Sequence, residues 1–189
     1  MGLDSVEIVL EWEKYFEIKI PDIEVGEIST VQDAVNCISK WITFDDRNVD
    51  HKQHLFVLFI TVISELNASL SGISADQKIF ALIPFEDRES WEKIAEKIIY
   101  ELPYPMLKGN FGKFMENVFP PKIDFQNTSV DRFIDLIFAV NYKKILGKAQ
   151  LQNRYEVLIA TMGITINLAG VNPFEVFENS SFVNDLGIN

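Results

Sequence analysis

Apolar residues recur along this chain at helical spacing, and strand-like alternation is scarce. From Val6 the apolar positions Val9, Trp12 and Phe16 follow three, six and ten residues on, which predicts one face of a 3.6-period helix. Ile20-Pro21-Asp22 should break it, because proline disfavours helix for the residue before it. Ser29-Thr30-Val31-Gln32-Asp33 is an N-cap signal leading into Val31, Ala34, Val35 and Ile38, again at helical spacing. Further helices are predicted near 52–70, 87–101, 129–145 and 153–169, with Pro84, Pro103, Pro105, Pro120, Pro121 and Pro173 between them. The expected fold class is all-α.

The pattern also hints at a repeat. Glu17-Ile18-Lys19-Ile20-Pro21, followed by Ile28 to Val35, is echoed by Tyr100-Glu101-Leu102-Pro103 followed by Asn127 to Ile134. Each copy runs amphipathic helix, proline loop, then a capped helix opening on valine. The second copy has the longer loop, which contains Phe111, Phe114 and Phe119.

Composition narrows the function classes. The chain has 189 residues, 48% hydrophobic, with 28 acids against 17 bases and a net charge of −11. That length fits one domain or two small ones, and the apolar content argues against disorder. A single cysteine excludes a disulfide scaffold and multi-cysteine metal sites. The acidic balance argues against nucleic acid and favours basic protein partners. The most apolar run, Leu55 to Ile63, has nine residues where a membrane span needs about 20, so no membrane role is expected. Met1 to Leu10 has no basic n-region, so it does not read as a secretory signal. The expected compartment is the cytoplasm, and the sequons at Asn67, Asn127 and Asn179 carry no weight there.

Enzymatic constellations are weak. His51 and His54 lie near Asp45, Asp46 and Asp50 but read as a solvated helix start, because this pattern fixes no ligand geometry. Two histidines three apart with no nucleophile elbow make no catalytic triad, and no glycine-rich phosphate loop is present. Cys37, between Val35 and Ile38, reads as core. Glu86, Asp87, Glu89 and Glu92 read as the polar face of a helix. A non-enzyme is expected.

The opening Gly2-Leu3-Asp4-Ser5-Val6-Glu7-Ile8-Val9 is more specific: it resembles the phosphopantetheine attachment motif of the acyl carrier protein family. The segment Phe16 to Ile20 with Pro21-Asp22 resembles that family's end of helix II and the loop after it. Thr30 to Ile38 resembles its last helix, so the resemblance covers residues 1–42. It implies that Ser5 receives 4′-phosphopantetheine, whose arm carries an acyl group as thioester. A serine opening a helix suits this, because a phosphodiester there meets unpaired N–H groups and the positive end of the macrodipole. By resemblance, Asp4, Val6, Glu7, Glu11 and Glu13 would face partners, namely a phosphopantetheinyl transferase and acyl-handling enzymes with basic patches.

The family's helix I and its loop do not precede Ser5. Residues 155–189 resemble them instead: Gly170 to Val176 looks like the turn after helix I, and Ser181 to Gly187 like the stretch that runs into the serine motif. Together 1–42 and 155–189 hold 77 residues, the size of one carrier domain. The expectation is a circularly permuted carrier module with a helical insert at 43–154. In a rival geometry the tail of one chain completes the head of another, giving a domain-swapped homo-oligomer. The insert reads as a helical packing partner or as a degenerate carrier-like repeat with Asp87 or Arg88 at the serine position. A further option is an aromatic site around Phe111, Phe114 and Phe119.

Two departures bear on function. The distance from Ser5 to Pro21 is about one helical turn shorter than the family's, and Val6 stands where leucine is common. An alternative to the carrier reading is therefore an unprimed carrier-fold interaction module. Charge follows the same partition: residues 1–42 have nine acids against three bases, 155–189 four against none, and 43–154 fifteen against fourteen.

Overall fold

The computed structural model describes residues 5–67, 70, 72–84, 86–103, 125–147 and 151–188. Among them the regular elements are nine α-helical segments: α1 (Ser5–Phe16), α2 (Asp22–Val25), α3 (Val31–Trp41), α4 (His51–Leu66), α5 (Ile79–Leu82), α6 (Arg88–Lys97), α7 (Val130–Val140), α8 (Tyr142–Ile145) and α9 (Arg154–Ala169). Short 3-10 turns occur at Phe125–Asn127 and Pro173–Glu175. The β pairing among the described residues amounts to two isolated antiparallel bridges, Thr30 with Ser181 and Lys78 with Ser129. The chain is all-α.

Several helix ends differ from the sequence expectation. The first helix stops at Phe16 instead of running toward Ile20, because Glu17 turns left-handed at φ 55°. The Ile18 N–H then donates to Glu13 O at 3.1 Å, which closes a Schellman-type end. Its buried stripe is also shifted: Ile8 and Trp12 are buried, while Val9 and Phe16 are half-buried. The helix expected at 87–101 ends at Lys97, where Ile98 becomes extended. The one expected at 129–145 is two helices, broken at Asn141 (φ −108°, ψ 13°). The helix expected at 52–70 covers 51–66.

The chain divides into two compact units. Unit 1 combines the residues up to Asp50 with those from Phe138 onward, and unit 2 is His51–Ile137.

In unit 1, α9 packs against α3, α1 and α8. It is buried over most of its surface, including Val157, Ile159, Ala160, Met162 and Ile164. Asn153 caps its start by accepting the Glu156 N–H at 3.0 Å, and Gly170 ends it in the left-handed region. Gly163 lies against the end of α7 and the start of α8: a Cβ there would collide with Ala139 O and the Tyr142 ring. Beyond α9, the chain buries Phe174, Val176, Phe182, Leu186 and Ile188.

That C-terminal stretch also completes α3. A helix leaves its first N–H groups without internal acceptors. Here the Val31 N–H donates to Ser180 O (3.1 Å) and the Gln32 N–H to Glu178 O (2.8 Å), while the Phe182 N–H donates back to Ser29 O (3.0 Å). The Asp33 N–H is taken by Thr30 Oγ1 at 3.1 Å in a capping box. Segments far apart in sequence therefore share one core and one hydrogen-bond ladder.

In unit 2, α4 packs on α6 and α5 on the 3-10 turn at 125–127. Phe59, Phe133, Trp91 and Phe80 form a chain of ring contacts, with centroids 5.4 Å (Phe59–Phe133), 5.6 Å (Trp91–Phe133) and 6.0 Å (Phe80–Trp91) apart. The start of α7 is completed by residues 75–79: the Val130 N–H donates to Gln77 O (2.8 Å) and the Asp131 N–H to Ala75 O (2.8 Å), and the Ile79 N–H donates to Thr128 O (3.0 Å). Lys52 Nζ meets Asp131 at 2.7 Å and Asp135 at 2.9 Å.

Candidate functional site

Ser5 opens α1 and is exposed. Asp4 lies outside the described residues. Among the other residues named from the sequence, Val6 (58% exposed) and Glu7 lie on the outward side of α1. Leu10 (54% exposed) joins them one turn beyond Val6. The sequence reading did not single out Leu10. The signal available was its i+4 spacing from Val6 combined with its absence from the buried stripe.

The two remaining acids are held by neighbouring cations. Glu11 lies 2.9 Å from Lys14 Nζ and 3.8 Å from Lys143 Nζ. Glu13 accepts from Lys19 Nζ at 2.7 Å and from the Ile20 N–H at 2.9 Å. The Lys19 bond, followed by the Ile20 N–H, holds the Glu13 carboxyl below its ordinary value. Glu13 thus secures the chain past the end of α1, and Glu7 is the exposed acid of the set.

The inner side of α1 fixes its position in unit 1. The Trp12 ring packs on Phe182 with centroids 5.4 Å apart. Tyr15 meets Tyr142 edge-on at 5.0 Å and donates its hydroxyl to Gly147 O at 3.2 Å. Burial, reinforced by the Glu156 charge, pushes Tyr15 up to about 12, so it is a neutral hydrogen-bond donor at physiological pH. α1 is therefore braced on its underside by residues contributed from beyond position 138.

Other candidates are less suited to chemistry. Cys37 is buried, donates to Glu24 Oε2 at 3.5 Å, and is pushed up to about 11 by burial and that carboxylate. A protonated thiol is a poor nucleophile. Among the described residues no group of three or more His, Cys, Asp or Glu is placed to hold a metal ion, His51 and His54 included. Glu86, Asp87, Glu89 and Glu92 are exposed, and α6 pairs Arg88 with Glu92 (3.4 Å) and Lys93 with Glu89 (2.6 Å). A surface groove of about 450 Å³ lies at the C-terminal end of α1, lined by Leu10, Glu13, Lys14, Glu17, Ile18 and Lys19. Phe111, Phe114 and Phe119 lie outside the described residues. No described helix is long and apolar enough to cross a membrane.

No family model and no solved structure matches the chain. Curated proteins do. The acyl carrier protein of Chloroherpeton thalassium is 53% identical over 37 residues, covering 20% of this chain and 46% of that protein. The acyl carrier protein of Chlorobium phaeobacteroides is 47% identical over 39 residues, covering 21% of this chain and 50% of that protein. The chain spans about half the length of the curated relatives it matches. About a fifth of this all-α chain is thus similar in sequence to acyl carrier proteins.

Proposed function

We propose that this chain is an acyl carrier-type protein in which Ser5 bears 4′-phosphopantetheine and presents an acyl group, held as thioester, to partner enzymes. The observation that carries this reading is an exposed serine opening a twelve-residue helix within the motif Asp4-Ser5-Val6-Glu7. The similarity of a fifth of the chain to acyl carrier proteins supports it. An exposed hydroxyl fits the group, since Ser5 Oγ can form a phosphodiester without entering the core. The amino end of α1 favours the resulting anion through the positive end of the helix dipole. When attached, the arm supplies a terminal thiol as the acyl acceptor, and this chain needs no catalytic group of its own.

In this reading, 1–42 and 155–189 form one carrier fold in permuted order, with the intervening residues as a helical insert. Support comes from the packing of α9 on α1 and α3 and from the bonds between 178–182 and the start of α3. Val6 and Leu10 give the outward side an apolar strip for a partner. Glu7 gives the exposed negative charge on α1 that steers basic patches on a transferase or an acyl-handling enzyme, and the family resemblance adds Asp4, Glu11 and Glu13 to that recognition.

Incubation with coenzyme A and a broad-specificity phosphopantetheinyl transferase, followed by intact-mass measurement, tests the proposal. One phosphopantetheine equivalent on the wild type and none on Ser5→Ala is the expected result. No addition to the wild type would leave the unprimed interaction module as the reading, and addition persisting in Ser5→Ala would overturn Ser5 as the site.

A further inference from the structure

Two segments of unit 2 repeat two segments of unit 1 in constant register. α4 and α9 each have 16 residues, and positions 103 apart play the same parts. The Asn67 N–H donates to Ile63 O as the Gly170 N–H does to Ile166 O, and the Gln77 N–H to Ser74 O as the Ser180 N–H does to Phe177 O. The Ser74 N–H is taken by the Gln77 side chain at 3.2 Å, and the Phe177 N–H by the Ser180 side chain at 2.9 Å. α3 and α7 each have 11 residues, with a constant difference of 99. The N–H groups of Asp33 and Arg132 are capped by Thr30 and Ser129, both at 3.1 Å.

The bonds joining the two segments keep both offsets at once. Val31 to Ser180, Gln32 to Glu178 and Phe182 to Ser29 in unit 1 correspond to Val130 to Gln77, Asp131 to Ala75 and Ile79 to Thr128 in unit 2. The two isolated bridges obey the same rule. Any helix start can borrow acceptors from a passing loop. A loop held at one fixed distance from the end of a preceding 16-residue helix, and in one register against an 11-residue helix, is a shared tertiary arrangement. Chain order differs: α9 follows α3, whereas α4 precedes α7.

The intervening helix extends the match. Val9, Trp12 and Phe16 of α1 have the sequence spacing of Trp91, Ile94 and Ile98 at α6, and aligning these triplets sets Asp87 against Ser5. Trp12 and Ile94 are buried alike, while Val9 and Phe16 are half-buried where Trp91 and Ile98 are buried. Asp87 caps α6, its carboxylate accepting the Ser90 N–H at 3.1 Å.

We propose that unit 2 is a second copy of the unit 1 fold in uninterrupted chain order, with Asp87 at the position Ser5 holds. The attachment part of this proposal rests on the carrier reading of Ser5. A carboxylate has no hydroxyl to phosphorylate, and it already supplies the anion that the start of α6 favours. Each chain therefore presents one open attachment position and one closed one.

Two measurements test this. In an experimental structure of the full chain, Cα atoms of 51–66, 74–79 and 128–137 should superpose as one rigid set on 154–169, 177–182 and 29–38. A match of single helices without their joint arrangement would overturn the shared fold. With coenzyme A and the transferase, Asp87→Ser should take two phosphopantetheine equivalents and Ser5→Ala/Asp87→Ser one. In that step the serine oxygen bonds to the phosphopantetheine phosphorus, the P–O bond to 3′,5′-adenosine bisphosphate breaks, and the hydroxyl proton passes to solvent. A folded Asp87→Ser chain that gains only one equivalent would overturn the assignment of Asp87. If wild type and variant both gain none, the Ser5 reading fails, and the superposition still decides whether unit 2 is a copy.

Discussion

Glu17 ends α1 in a conformation that costs an L-residue about 1–2 kcal/mol. Its neighbours hold it there: the Ile18 N–H reaches Glu13 O, and the Glu13 carboxylate takes the Ile20 N–H and Lys19. Glycine adopts this geometry freely, so Glu17→Gly should raise unfolding stability by roughly 0.5–1 kcal/mol, read as a higher urea midpoint at unchanged slope. The opposite case is Gly163, where the end of α7 and the Tyr142 ring of α8 occupy the space of a side chain. Gly163→Ala should cost about 1–3 kcal/mol despite the better helix propensity of alanine, by the same measurement. Asp33 makes a pH-dependent contribution. Its carboxyl accepts from the Thr30 hydroxyl and from the N–H groups of Thr30 and Ser29, the hydroxyl bond being the strongest cause that holds it below 3.8. A depressed folded value means stability present above 3.8 and lost as pH falls through the folded value. Asp33→Asn should therefore flatten part of the acid limb of stability against pH in urea titrations stepped from neutral into acid.

Helices whose ends carry their own signals were readable from the sequence. α9 starts one residue after the expected position, since Asn153 caps it and Gly170 ends it, and α3 follows the Thr30 cap. Ends set by partners elsewhere were not readable. The stop at Phe16 depends on how Glu13 is shared between Lys19 and Ile20, and no local periodicity encodes that. The same reason governs the site: Ser5 stands out as part of a string, whereas the commitment of Glu11 to Lys143 needs residues 132 positions apart to meet. Tertiary contacts also decide how α4 and α7 are joined. Lys52 reaches two carboxylates one turn apart on α7, and burial, which would lower its pKa, is outweighed by hydrogen bonds to Asp131 and Asp135, so the value is raised. Lys52→Met should remove the cation that bridges those carboxylates. The expected loss is about 1–3 kcal/mol, measured as a lower urea midpoint.

At the scale of the whole molecule, charge is uneven. Residues 1–42 and 155–189 together supply ten of the eleven net negative charges. Binding of a basic partner to the α1 side should therefore weaken steeply with added salt, mainly through a slower association rate. A salt-independent affinity would argue that Val6 and Leu10 dominate the contact. Closure of unit 1 within a single chain predicts a scattering mass of 21.7 kDa at every concentration, whereas exchange of the α9 segment between chains predicts multiples that grow with concentration.

The placement of α9 also sets a timetable for synthesis. α1 and α3 leave the ribosome before α9, and that helix, which packs on both, follows more than a hundred residues later. At roughly 5–20 residues per second the wait is on the order of ten seconds. Throughout that interval α1 and α3 wait for α9, while unit 2, contiguous in sequence, is completed before α9 begins. A nascent chain stalled before Arg154 would thus carry Ser5 on a helix that lacks α9 and the Trp12–Phe182 contact and keeps Tyr142, Lys143 and Gly147 as its braces. Termination before Arg154 would take from unit 1 the one helix that packs on α1, α3 and α8 together.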